Sequence, residues 1–230
     1  MGPEPHPSMA GRGNRARLSS IEEASFSARL MRWPLITMII AGACVALPRW
    51  PTTEQFLQFD RAALLNGQIW RLLTCHLAHW SASHEIWSVG ALAVLGLLGE
   101  IRDRRAFAMC CIAAALACSF ALLLFWPDVQ LYRGMSGVDS ALFTWLVVFN
   151  LRPSSDHRYS AAHKIALVLL LIAFIAKVAW EGQTHHSLFV VSDQSSFVSL
   201  PGVHAVGGAV GICVGMFRPR SFFQLEYRYN

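Results

Sequence analysis

Six apolar stretches recur along the chain, roughly at residues 33–48, 84–99, 106–126, 136–151, 164–181 and 200–217, with polar or charged residues between them. A helix that crosses a bilayer needs about 20 apolar residues, within a range of about 17–25. This spacing predicts an all-α, polytopic membrane protein built as a bundle of six transmembrane helices. The first, second and fourth stretches are short, but neighbouring helices or a locally thinned bilayer let short helices cross. Between the first two lies "TEQFLQFDRAALLNG", whose pattern predicts a short amphipathic helix capped by Thr53 and stopped at Gly67. Trp50, Trp70 and Trp80 suit an interfacial position, which makes this an amphipathic first outer loop partly sunk in the outer leaflet.

Composition supports a membrane protein. The 230 residues are 54% hydrophobic and 14% charged, whereas a soluble domain carries about 25% charged residues. The net charge of +5 could indicate a nucleic-acid partner, but the basic residues cluster between apolar stretches. Arg12, Arg15, Arg17, Arg29 and Arg32 precede the first, and Arg102, Arg104 and Arg105 follow the second. Arg152, Arg158 and Lys164 follow the fourth, and Arg218 and Arg220 follow the sixth. With six crossings all of these fall on one side, the cytoplasm, and both termini with them. No nucleic-acid partner is expected. Residues 1–32 read as a disordered cytoplasmic tail without a signal-peptide pattern, 33–217 as the membrane domain and 218–230 as a cytoplasmic C-terminal tail. Five of the six cysteines lie in apolar runs without metal-ligand spacing and read as small buried thiols.

Two polar sites interrupt the apolar pattern where it should be strongest. "RGMSGVDSALF" places Ser136 and Asp139 at the outer start of the fourth stretch. Ser136 with Asp139 fits a capping box, with the acid also meeting the helix dipole. "LPGVHAVGGAVG" places His204 near the start of the sixth stretch, which runs in the same direction. Gly207 and Gly211 stand on one face with His204, and such a face permits close helix approach. Ser136 and His204 then meet at similar depth. A histidine can take the proton of a serine hydroxyl and turn it into a nucleophile. The developing oxyanion needs donors, for which the Ser136 backbone N–H and a side chain from the second stretch are candidates. In "CHLAHWSASHEIWS", His84 and Ser88 share a helical face, and Ser83 can cap the helix. A metal site from Cys75, His76, His79 and His84 lacks suitable spacing and a carboxylate ligand, so no metal and no cofactor is expected.

Taken together, these residues resemble the rhomboid family of intramembrane serine proteases over about residues 33–217. "WR" at Trp70–Arg71 is similar to the family's first-loop signature, and "HWSASHEIWS" to its His-rich second-helix motif. "GMSG", with Gly134 and Gly137 around Ser136, resembles its serine motif. "HAVGGAVG" resembles its histidine followed by glycines. The resemblance implies a six-helix rhomboid-like bundle with a Ser136–His204 dyad and oxyanion donors from the second helix, among which His84 matches. Ser88 stands where the family usually has asparagine, and Ser140 where it often has an aromatic partner for the histidine. Asp139 is a candidate to orient His204 in compensation, and His79 an accessory residue. The stretch "FDRAALLNGQIWRLLTCHLAHW" resembles the rhombosortase-like branch, thought to cut C-terminal membrane anchors from exported bacterial proteins. The implied partners are transmembrane protein substrates and membrane lipids. The implied location is a bacterial inner membrane, with the active site opening outward. Two rival readings are an inactive rhomboid-like scaffold and a small transporter using His79, His84, Asp139 and Lys177, with Lys177 otherwise snorkelling from the fifth helix.

Overall fold

The computed structural model describes residues 33–152, 160–184 and 200–217, and the apolar runs within them are helical. The longer helices are α1 (Leu35–Ala46), α5 (Ala82–Phe125), α6 (Ser136–Leu151), α7 (Ala161–Thr184) and α8 (Pro201–Phe217). Three short helices lie between α1 and α5: α2 (Pro51–Leu57), α3 (Arg61–Leu65) and α4 (Arg71–Thr74). Two helices, α5 and α7, are long and apolar enough to cross a membrane, while α6 and α8 are apolar and shorter. The expected terminal tails lie outside the described residues.

Helix α5 is two arms joined at Asp103, whose backbone leaves the helical region (φ −158°, ψ 91°). The Asp103 carboxylate accepts the Ala106 N–H at 3.1 Å, so the residue that breaks one arm caps the next. The arms double back on each other. A Cβ on Gly99 would lie 3.4 Å from Phe107, while His84 and Cys118, far along opposite arms, both reach the Gly134–Gly137 turn. These arms coincide with the second and third apolar stretches of the sequence.

Between α1 and α5, the single amphipathic helix expected from residue 53 is two helices. Gln58–Asp60 leaves the helical path because Phe59 and Asp60 (β1) pair antiparallel with Tyr132 and Leu131 (β2). Asp60 then starts α3, accepting the Ala63 N–H at 3.0 Å. Thr53 is not the cap: Trp50 holds that position, with Pro51 first in the helix, where its missing N–H costs nothing. The stop at Gly67 has a physical basis, since its φ of +92° favours glycine. Among the described residues the two-residue ladder is the exception to the helical pattern, and strands that short show no sequence periodicity. Arg61 ties this region to the end of α5, donating to the carbonyls of Leu122 (2.6 Å), Leu123 (3.2 Å), Trp126 (2.8 Å) and Val129 (3.2 Å). The carbonyls of Leu122 and Leu123 are among those that a helix end leaves without partners.

Helices α6 and α8 approach to backbone contact. A Cβ on Gly207 would lie 1.9 Å from the Gly137 carbonyl oxygen, and one on Gly211 would lie 2.0 Å from that of Ala141. No larger residue fits there without separating the helices. Thr144 Oγ1 donates across the seam to Gly208 O at 2.9 Å. Behind it, Trp145, Leu142, Leu92 and Phe107 fill the core against the arms of α5. At the Asp103 end, buried Glu100 accepts the Ile36 and Thr37 N–H groups (3.0 and 2.8 Å) and the Thr37 hydroxyl (2.9 Å), which anchors the start of α1. Helix α7 is peripheral, and Glu181 is its one buried side chain.

Candidate active site

The turn that delivers Ser136 is built by Gly134. Its φ of +139° lies in the region that favours glycine, and a Cβ there would meet His84 Cε1 at 2.8 Å and Nε2 at 3.0 Å. Its polar groups are all engaged. Gly134 N donates to Cys75 O (3.1 Å), while Gly134 O faces His76 Nδ1 (3.0 Å) and accepts from the Tyr132 hydroxyl (3.1 Å). The other ring nitrogen of His76 faces Ala115 O (3.0 Å) and Ser119 Oγ (3.2 Å), so His76 links the turn to α5.

Ser136 is the first residue of α6, preceded by Met135 as cap, and its side chain caps nothing. The capping-box geometry is therefore absent: the Asp139 N–H bonds to Met135 O at 3.0 Å instead. Ser81 rather than Ser83 caps α5, accepting the His84 N–H at 3.2 Å. On α8, Val203 and Gly207 bracket His204, and both lie against Gly137: a Cβ on Gly137 would meet Val203 Cγ1 at 2.8 Å. Ser136 and His204 thus flank the closest backbone contact between their helices. No hydrogen bond joins them among the described residues.

His204 is held from the other side. Its Nδ1 lies 3.0 Å from Glu181 Oε2 and 3.4 Å from Lys177 Nζ, and Lys177 Nζ is 2.8 Å from the same carboxylate oxygen. Lys177, expected to snorkel, is turned to this pair instead. Neither residue stood out in the sequence as a neighbour of His204, because an acid four residues after a lysine reads as a helix-surface pair. Asp139 is buried, and its Oδ1 has no hydrogen-bond partner among the described residues.

His84 and Ser88 are both buried on α5. His79 stacks edge-on against His84 with ring centroids 5.0 Å apart. Burial, aided by His84 and His76, pulls His79 down to about 3, so it stays neutral. Trp70 and Arg71 lie away from Ser136 and organise the α2–α4 region. Trp70 stacks on Phe56 at 5.1 Å, and Arg71 donates to Gln55 O and Gln58 O, both at 2.7 Å, and to Gln68 Oε1 at 2.8 Å. Arg133, just before the turn, bonds Gln58 Oε1 (2.8 Å), pairs with Glu54 and lies 4.5 Å from the Trp80 ring centroid.

A nucleophile candidate at a helix start, an imidazole across a glycine seam and a second imidazole at the preceding turn form the parts of an acyl-transfer site. No curated protein matches the chain. The Rhomboid domain pattern matches residues 66–221, more than half of the chain, from just after α3 to just past the end of α8. The chain belongs to the rhomboid family of integral membrane proteins, which are generally intramembrane serine proteases.

Proposed function

We propose that this protein is an intramembrane serine endopeptidase that cuts the transmembrane or juxtamembrane segment of membrane-anchored proteins, using Ser136 and His204. The observation that carries this reading is the backbone contact between Gly137 and Gly207, which sets the start of α6 beside the turn of α8 that bears His204. Hydrogen bonds between catalytic groups are often long or unmade before substrate binds, so side-chain rotation can close this pair.

The chemistry follows from the groups present. His204 Nε2 takes the hydroxyl proton as Ser136 Oγ bonds to the scissile carbonyl carbon. The tetrahedral oxyanion is met by the Ser136 N–H, a helix-start donor without an intrahelical partner, and by His84 across Gly134. The C–N bond then breaks, and the amine leaves with the proton from His204. Water attacks the acyl-enzyme and gives a proton to His204; the ester C–O bond then breaks, the acid leaves, and His204 returns that proton to Ser136 Oγ. Ser88 is a further oxyanion donor in this scheme.

The six apolar stretches and the basic residues between them favour cytoplasmic termini and a site towards the outer face of a bacterial inner membrane. The rhombosortase-like resemblance of the first loop favours anchored, exported proteins as substrates.

A fluorophosphonate, which forms an adduct with activated serines, tests the assignment without a known substrate. Wild-type protein in detergent is expected to label, and Ser136→Ala and His204→Ala to lose labelling while remaining folded. Equal labelling of wild type and Ser136→Ala sinks the nucleophile. An unlabelled wild type that still binds transmembrane peptides points to the scaffold reading.

A further inference from the structure

Helix α7 presents an anomaly. It is 24 residues long, apolar and peripheral, yet its one buried side chain is an acid, Glu181, which is 0% exposed. Burying a carboxylate is costly unless it is paired and hydrogen-bonded. Here the pairing is with Lys177 on one side and His204 on the other, both through Oε2, at 2.8 and 3.0 Å.

We propose that Glu181 is the positioning carboxylate of a Ser136–His204–Glu181 triad, with Lys177 holding the carboxylate in place. This inference rests on the protease reading above. An imidazole nitrogen facing a carboxylate oxygen carries the proton and donates it, which fixes the tautomer. His204 Nδ1–H therefore donates to Glu181, and Nε2 keeps the lone pair that a general base requires. The same contact stabilises the imidazolium that forms when Nε2 takes the serine proton. Lys177 contributes in a second way. It and Nδ1 converge on one oxygen from 3.4 Å apart, so the carboxylate is fixed by two donors and cannot rotate away without losing both. Asp139, the carboxylate nearest Ser136 in sequence, makes no hydrogen bond to His204 among the described residues and sits on the nucleophile's own helix. Glu181 comes from a third helix, α7, and meets His204 at Nδ1.

A structural alternative exists: Glu181 could simply pin α7 to α8. The two roles separate kinetically. Fluorophosphonate inactivation gives a maximal rate, kinact, and an affinity, KI, per folded enzyme. Glu181→Gln keeps the shape but loses the charge, and its amide can donate to Nδ1 and favour the wrong tautomer. We expect kinact to fall by about 10²-fold or more, as when a triad carboxylate becomes an amide, with KI within about threefold. Glu181→Asp keeps the charge and should recover at least about tenfold of that loss. Lys177→Met should fall between wild type and Glu181→Gln. A purely structural role lowers the melting temperature of all three and leaves kinact per folded molecule unchanged.

Glu181→Gln at wild-type kinact overturns the triad. If that variant does not fold, wild-type kinact per folded molecule in Glu181→Met, which also lacks the carboxylate, overturns it instead. Ser136→Ala runs in parallel: if it still labels, the protease reading itself fails. If it is silent while Glu181→Gln is fully active, the triad alone fails.

Discussion

His84 and Ser88 lie one helical turn apart on α5, but it is His84 whose ring edge packs against Gly134 in the turn before Ser136. On the proposed mechanism that proximity makes His84 the stronger oxyanion donor. Loss of one such donor costs about 10²–10³ in turnover in a soluble protease. We expect His84→Ala to lose activity in that range and Ser88→Ala to stay within about tenfold of wild type. Cleavage time courses normalised to folded protein check both, and a larger loss at Ser88 reverses the assignment. At this scale the sequence marks Ser136 and His204, because each stands beside glycines at the start of an apolar stretch. It does not mark Glu181 or Tyr132, and it offers His76 only as part of a rejected metal site. Glu181 lies 23 residues before His204, and the two meet only once α7 packs on α8. Tyr132 and His76 act on the carbonyl of Gly134, a backbone atom with no sequence signature.

Among the elements, α6 and α8 depend on residues without side chains. Gly207→Ala places a methyl 1.9 Å from the Gly137 carbonyl oxygen, and only separation of the helices can relieve that contact. Overpacking of this kind costs about 1–3 kcal/mol, and misplacing a reacting group by about 1 Å can cost about 10²-fold in rate. We expect Gly207→Ala to lose both stability and turnover. Gly42→Ala in α1, with nothing within 4 Å of the new methyl, should be neutral or mildly stabilising. Melting temperatures and cleavage rates for the two variants distinguish a specific seam from a general intolerance of glycine replacement. The glycine spacing was readable because close approach has a residue requirement. The split of the first loop into α2 and α3 was not, because it depends on Phe59 and Asp60 pairing with residues more than 70 positions away in sequence.

In the whole molecule, polar contacts tie the two ends of the bundle. At the Ser136 end Arg61, Arg71 and Arg133 bind the first loop to α5, to itself and to the turn. At the Asp103 end, Glu100 alone receives the first amides of α1. Glu100→Ala leaves those amides and the Thr37 hydroxyl without that acceptor, and orphaned buried groups cost about 1–3 kcal/mol each. We expect a stability loss of about 2–4 kcal/mol with fluorophosphonate labelling per folded molecule unchanged, since Glu100 lies at the end of the first α5 arm remote from His84. Unfolding in denaturant, read beside labelling, tests both halves of that expectation.

The distribution of the three proposed catalytic side chains over α6, α7 and α8 also sets an order in time. A ribosome completes Ser136 well before His204, and places Lys177 and Glu181 between them. While α8 is still unmade, the hydroxyl has no base, and Glu181 can only lean on Lys177. A half-synthesised chain among other newly inserted proteins therefore carries a harmless serine. On the proposed mechanism its capacity to cut arrives with α8, when one docking event supplies the imidazole, closes the glycine seam and gives the buried acid its second partner.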